Sequence, residues 1–300
     1  MLNITSKIRL NTTVTSLSLH ENFLLVTSAD KKFRIYDLES EKCIIEVEGH
    51  NYGVNQGLWD MYGEYILTCS DDGTIKIWSK SGKQVSVLIG HSNYVQSLAI
   101  DPKNLMLLSG GSDCSVILWD LRSTQQITNF FHVHQEPVTS LGFSDDSSVF
   151  LTGSFDGTIH LWDTMSLNSL KTCSFNRNVP ITRAKFIGPY MYSSCLDSKI
   201  LLWSATEVKS IPIKQYTGHI NECYTCDCIA IKTGQIYSGS EDGGVYIWDL
   251  NTADIPSKIQ VFPRNRILNV LDVNNNTFVA SSFDASDFTN YEHIVIGKIC

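Results

Sequence analysis

The sequence predicts an all-β chain folded as a single seven-bladed propeller, and three observations lead there. Aromatic residues that close a short alternating strand recur at Tyr36, Trp78, Trp119, Trp162, Trp203 and Trp248, at intervals of 42, 41, 43, 41 and 45 residues. An aspartate stands six residues before each of them, at Asp30, Asp72, Asp113, Asp156, Asp197 and Asp242. A period of about 40 to 45 residues is the spacing of propeller blades, and it overrides any local reading.

Each repeat is built from the same parts in the same order. A histidine, usually after glycine, opens a unit at His50, His91, His134 and His219. A small hydroxyl side chain follows, four residues ahead of the aspartate, at Thr68, Ser109, Thr152, Ser193 and Ser238. A turn packed between strands leaves polar groups that must be paired, and Asp, His, Ser/Thr and Trp can close a hydrogen-bond chain across it. Four such structural tetrads are expected. They are His50, Thr68, Asp72 and Trp78; His91, Ser109, Asp113 and Trp119; His134, Thr152, Asp156 and Trp162; and His219, Ser238, Asp242 and Trp248. The strands between them read as alternating or short apolar runs (FLLVTS, YILTCS, LMLLSG, VFLTGS, QIYSGS), divided by Gly, Asp, Asn and Ser clusters.

Six clear units and a degraded one in residues 266–298, where FVASSFD is followed by a longer turn and by HIVIG, make seven. The predicted blades of this one domain are approximately 11–48, 49–89, 90–131, 132–174, 175–215, 216–258 and 259–300. An open ring would expose sheet edges, so the leading strand, residues 4–10, is expected to complete the last blade.

Composition bounds the function. With 43% hydrophobic and 18% charged residues, a chain of 300 can bury a large core. The net charge of −8, without a Lys/Arg run longer than a pair, lacks the footprint of a nucleic-acid binder and suits basic protein partners. Nine unevenly spaced cysteines and an N-terminus without a signal-peptide pattern point to a reducing, intracellular compartment. No apolar run approaches the roughly 20 residues of a membrane span, so no membrane partner is expected. The glycosylation triplets at Asn3, Asn11 and Asn275 are then incidental.

Chemistry is sought next. Cys223, Cys226 and Cys228 form a C-x-x-C-x-C cluster. The repeat frame puts them on the first strand of blade six, where alternate side chains diverge and cannot converge on a metal. No nucleophile elbow, phosphate-binding loop or His-Glu-x-x-His motif occurs. The expectation is a non-catalytic chain with no cofactor and no metal.

These units resemble the WD-repeat family over essentially the whole chain. The resemblance implies a ring of four-stranded blades around a central channel, acting as a protein-interaction scaffold. Within it, GHSNYV (Gly90 to Val95), the stretch from Tyr216 to Thr252 with its Asn-Glu after Gly-His, and VPITRAKF with SSCLDSKILLW (Val179 to Trp203) are similar to one group. That group is the WD-repeat core subunit of COMPASS/MLL-type complexes, which methylate lysine four of histone three.

This likeness implies a monomer within a nuclear hetero-complex. Its partners would be a SET-domain methyltransferase, associated subunits, and basic histone-tail or Arg-containing peptides. The implied peptide-binding channel mouth comprises Ala29, Gly53, Asp71, Tyr94 and Tyr224, with Phe155 where a tyrosine is expected. Gln96 and Asp227 replace two phenylalanines that sandwich an arginine in that group. Losing both rings removes roughly 0.5–2 kcal/mol each, with Asp227 offering an ion pair instead. A second partner site would include Tyr190, Leu202 and Asn251, with Lys232 in place of an apolar residue.

Two alternatives stay open. Trp119-Asp120-Leu121-Arg122 is similar to the WD-x-Arg box of cullin-RING ubiquitin-ligase substrate adaptors, and spliceosomal propellers in RNA-processing assemblies share the same repeat consensus.

Overall fold

A computed structural model describes residues 2–130, 132–176, 178–207, 210–252, 255–274, 277–284 and 292–299. Asn275 and the long turn of the seventh unit lie outside the described residues. The chain forms seven four-stranded sheets, each antiparallel, arranged as a β-propeller, and no described residue is helical.

Six sheets use four consecutive strands, as blade one does with Val14–His20, Phe23–Ser28, Lys32–Asp37 and Lys42–Glu48. The strands nearest the channel are Val14–His20, Val54–Trp59, Val95–Ile100, Val138–Phe143, Ile181–Ile187, Cys228–Ile231 and Arg266–Asn274. Blade seven runs outward through Thr277–Asp284 and Glu292–Ile299 to Leu2–Leu10 at its outer edge. That last pairing, from Leu2 opposite Ile299 to Leu10 opposite Glu292, closes the ring with the N-terminal strand. It also covers an edge that would otherwise be an open template for other strands.

The core lies in slabs between neighbouring blades, because a strand with both faces packed must bury alternate residues to either side. Leu67, Ile75 and Ile77 of blade two meet Leu98, Leu107 and Trp119 of blade three. Leu151 and Leu161 of blade four meet Met191 and Trp203 of blade five. Leu202, expected at a partner surface, belongs to such a slab. It is only 3% exposed and packs with Tyr216, Ile236 and Trp248, because its place in the strand Lys199–Ser204 turns it toward blade six.

Two backbone devices set the loops of the upper rim. The residue after each repeat aspartate, or after its neighbour in the same turn, is left-handed. Lys31 (φ 70°), Gly73 (76°), Cys114 (61°), Gly157 (76°), Ser198 (61°) and Gly243 (74°) all fill this slot. A β-bulge then interrupts the start of six channel strands at Thr15, Asn55, Gln96, Thr139, Thr182 and Asn269. A bulge kinks the strand and re-aims the extra side chain. Here the re-aimed chains ring the channel.

Candidate functional site

In blades two, three and four the turn is pinned by a closed chain of four groups. His50 Nδ1 donates to Asp72 at 2.9 Å, Nε2 accepts from the Thr68 hydroxyl at 2.8 Å, and Trp78 Nε1–H donates to that hydroxyl at 2.8 Å. His91 bridges Asp113 (3.0 Å) and Ser109 (2.8 Å), with Trp119 at 2.9 Å. His134 bridges Asp156 (2.9 Å) and Thr152 (2.9 Å), with Trp162 at 3.3 Å. This proton order satisfies every donor with a neutral imidazole. Each aspartate also accepts from the opening loop, through the N–H of Asn51, Ser92 or Gln135.

Burial alone would raise these carboxyls. The Thr74 hydroxyl, the Asn51 N–H and His50 outweigh it and hold Asp72 at about 2. Asp113 and Asp156 are likewise held far below the ordinary carboxylate range, against burial, by their own histidines and by Ser115 and Thr158.

Blade six departs from its expected tetrad. His219 is 3% exposed, yet neither ring nitrogen has a hydrogen-bond partner. Trp248 Nε1–H donates to the Thr217 carbonyl at 3.1 Å, the Ser238 hydroxyl to the Gly239 carbonyl at 2.9 Å, and Asp242 is taken by Lys258 and the Tyr246 hydroxyl. The loop that an aspartate captures elsewhere is captured here by Glu241, whose Oε1 accepts the N–H groups of Glu222, Cys223 and Tyr224 at 2.7, 2.6 and 2.9 Å. The longer side chain one position earlier does the work, so Asp242 is released to Lys258. Burial pushes His219 down to about 4, against the opposing charges of Asp197 and Asp242.

The cysteine cluster also lies differently from its expected place. The channel strand of blade six begins only at Cys228, so Cys223 and Cys226 precede it in the loop. Cys223 is exposed while Cys226 and Cys228 are buried, and burial drives the latter two thiols strongly up, away from thiolate chemistry. Among the described residues no three His, Cys, Asp or Glu side chains gather as a metal would require.

At the upper end of the channel the blades surround a cavity of about 280 Å³, lined by residues of all seven, including Gln96, Phe155 and Asp227. Sequence reasoning missed most of its wall. The bulged side chains tie neighbouring blades together there. Thr15 donates to the Val54 carbonyl (2.5 Å), Asn55 to Val95 (2.8 Å), Thr139 to Ile181 (2.7 Å) and Asn269 to Val14 (3.1 Å). Each acceptor is the residue just before the next blade's bulge. In blades two to four these residues stand five positions after the blade histidine, a signal present in the sequence. Gln96 instead turns to the Ser112 hydroxyl of its own blade at 3.0 Å.

Asp227 was expected to be free for a partner's cation. It is already paired: it stands just before the blade-six channel strand, beside Arg183 on the channel strand of blade five. Two residues further along that strand, Lys185 looks toward Asp272, whose carboxylate accepts the Leu19 N–H at 2.7 Å. Burial raises Asp272 and lowers Lys185.

The remaining proposed residues sit around this mouth in separate groups. Ala29, Gly53 and Asp71 adjoin one another at the junction of blades one and two; a side chain on Gly53 would stand 3.4 Å from the Ala29 carbonyl and 3.6 Å from Asp71. Tyr94 is 50% exposed on blade three, whereas Tyr224 packs edge-on against Phe283 at 5.4 Å between centroids. Near the second proposed site, Tyr190 is 38% exposed, Asn251 is exposed, and the Asn251 carbonyl accepts from Lys214. Lys232 is exposed.

Comparison with known proteins agrees with this geometry. The profile of the WD domain, G-beta repeat, matches residues 41–79, 82–120, 125–163 and 210–249. The WD repeat domain-containing protein 83 homolog of Dictyostelium discoideum is 30% identical over 304 residues, which cover 91% of this chain and 92% of that protein. The WD repeat, SAM and U-box domain-containing protein 1 of Danio rerio is 34% identical over 106 residues, covering 34% of this chain and 22% of that one. The Denticleless protein homolog of Gallus gallus is 23% identical over 295 residues, covering 80% and 41%. The chain therefore spans less than half the length of the latter two. Repeat interval, seven-sheet ring and profile agree: this chain belongs to the WD domain, G-beta repeat family.

Proposed function

We propose that this protein is a non-catalytic interaction scaffold that takes a basic segment of a protein partner on its upper face, around the channel mouth. One observation carries this reading. The upper loops gather carboxylates (Asp71, Asp113, Glu136, Asp156) beside accessible rings (Tyr94, Phe155, Tyr224), whereas Arg34, Lys199 and Lys258 on the same rim are already neutralised by Asp30, Asp197 and Asp242. Fixed anionic potential of this kind attracts and orients a basic partner.

The assembly we favour is a nuclear COMPASS-like complex, supported by the local wording of Gly90–Val95 and Tyr216–Thr252. A second reading, a ubiquitin-ligase adaptor, is favoured by the Arg122 side chain, which is 75% exposed at the lower rim. Affinity purification with cross-linking mass spectrometry tests both. Recovery of a SET-domain methyltransferase cross-linked to Lys31 on the upper loops supports the first. Recovery of cullin-RING subunits, lost on Arg122→Ala, replaces it with the second. Localisation of a fluorescent fusion outside the nucleus counts against the first.

A further inference from the structure

An open cleft of about 830 Å³ lies between blades four and five, away from the channel axis. It lies beside the opening of blade five, which lacks the Gly-His pair. Phe175 stands 18 residues before Ser193, where blades two, three and four place histidine before their hydroxyl, and it lies 51% exposed beside Lys199. The cleft walls are apolar at Pro180 and Leu196 and acidic at Glu136 and Asp156. Phe155 lines both this cleft and the channel-mouth cavity and stands between the two.

Among the described lining residues the charge has one sign. Asp156 is ionised, since its histidine and Thr158 hold its carboxyl down against burial. Glu136 is exposed beside it. The one basic-type side chain among the described lining residues is His160, which burial and His134 push down to about 4, leaving it uncharged at neutral pH.

We infer that this groove seats an extended segment of a partner protein, with a basic side chain laid along the Phe155 ring and its charged head against the exposed Glu136 carboxylate, in the field of Asp156. The apolar walls fit the methylene stem of a lysine or arginine, and the aromatic face and the carboxylates fit its cation. The inference rests on the upper-face reading above and narrows it to one groove. An acidic or purely apolar segment does not fit, because burying either beside two carboxylates leaves repulsion or unpaired charge.

The test uses the whole chain and two fluorescein-labelled peptides, Ala-Arg-Ala-Arg-Ala-Arg-Ala and its Glu counterpart, followed by anisotropy in about 0.1 M salt. The arginine peptide binds and the glutamate peptide does not. Glu136→Lys, an exposed change that leaves the core intact, weakens binding by about tenfold or more, and Phe155→Ala weakens it several-fold. Glu222→Lys, an equal charge reversal on the upper loop of blade six, changes it less than about twofold. If Glu136→Lys and Glu222→Lys weaken binding equally, the groove is wrong and only a diffuse acidic face remains. If the wild-type chain binds neither peptide up to about 1 mM, the groove and the upper-face reading both fail.

Discussion

Replacing the blade histidines by phenylalanine separates those that pin a turn from the one that does not. His50→Phe keeps the ring volume but removes two buried hydrogen bonds, leaving Thr68 and Asp72 short of a partner. A buried polar group left without its partner costs about 1–3 kcal/mol, so His50→Phe should cost roughly 2–5 kcal/mol. His219→Phe removes no hydrogen bond and sets an apolar ring against Trp248 and Tyr246, whose centroids lie 5.3 and 6.4 Å from the imidazole. Its effect at pH 7.5 should stay within about 1 kcal/mol, and a gain is expected.

The difference between the wild type and His219→Phe should change in acid. His219 titrates at about 4 in the folded chain against the ordinary 6.5, so between those values the unfolded chain holds a proton that the folded chain refuses. Stability is therefore full above pH 6.5 and falls as the pH drops through this window. At about 1.36 kcal/mol per unit, His219 alone takes away roughly 2 kcal/mol by pH 5. Urea unfolding followed by tryptophan fluorescence at pH 7.5 and pH 5.0 measures both quantities. The wild type should lose more stability between the two pH values than His219→Phe does. Equal losses at pH 7.5 for the two substitutions, or an unchanged pH slope in His219→Phe, would refute the rewiring of blade six.

Four further outcomes follow from the same geometry. Arg183→Ala leaves Asp227 half-buried and unpaired and should cost about 3–5 kcal/mol, much of it regained in the Arg183→Ala/Asp227→Ala double variant; a double-mutant cycle with no coupling argues against the pair. Asn55→Ala cuts the bond to the Val95 carbonyl and the bond to Asp71, and should cost about 1–2 kcal/mol by chemical denaturation. Cys114→Gly relieves a left-handed residue at φ 61° and should raise stability by up to about 1 kcal/mol, with a lower melting temperature as the contrary result. Deleting residues 2–10 uncovers the strand Glu292–Ile299 and should lower the melting temperature sharply, often with aggregation; an unchanged melting curve contradicts the closure.

The ring was legible in the sequence because its signal is a period rather than a propensity. Five intervals near 42 residues leave one architecture, and the need to cover an edge placed the first strand in the last blade. Blades two to four hold the four-group chain at the positions those intervals mark. Blade six misled because sequence spacing shows which groups can meet, not which competitor reaches first. Glu241 and Lys258 occupy the loop and Asp242, and neither belongs to the repeat. Leu202 misled for a related reason, since a strand residue in a packed ring is decided by which face it presents rather than by its place in an alignment. Arg183 could not be foreseen as the mate of Asp227, because 44 residues separate them and only the ring sets them side by side.

The seventh sheet has a bearing on how the molecule comes into being. Its outer ribbon joins residues near 2–10 to residues near 292–299, a contact between segments some 290 residues apart, while every other sheet is assembled from neighbours. Contacts between such distant segments form late, since the chain must surrender the most freedom to make them. During synthesis the strand Leu2–Leu10 therefore waits, unmatched and adhesive, until Glu292–Ile299 has been made. The stretch from Ile4 to Leu10 is where a nascent copy is most open to mispairing or to capture by a chaperone.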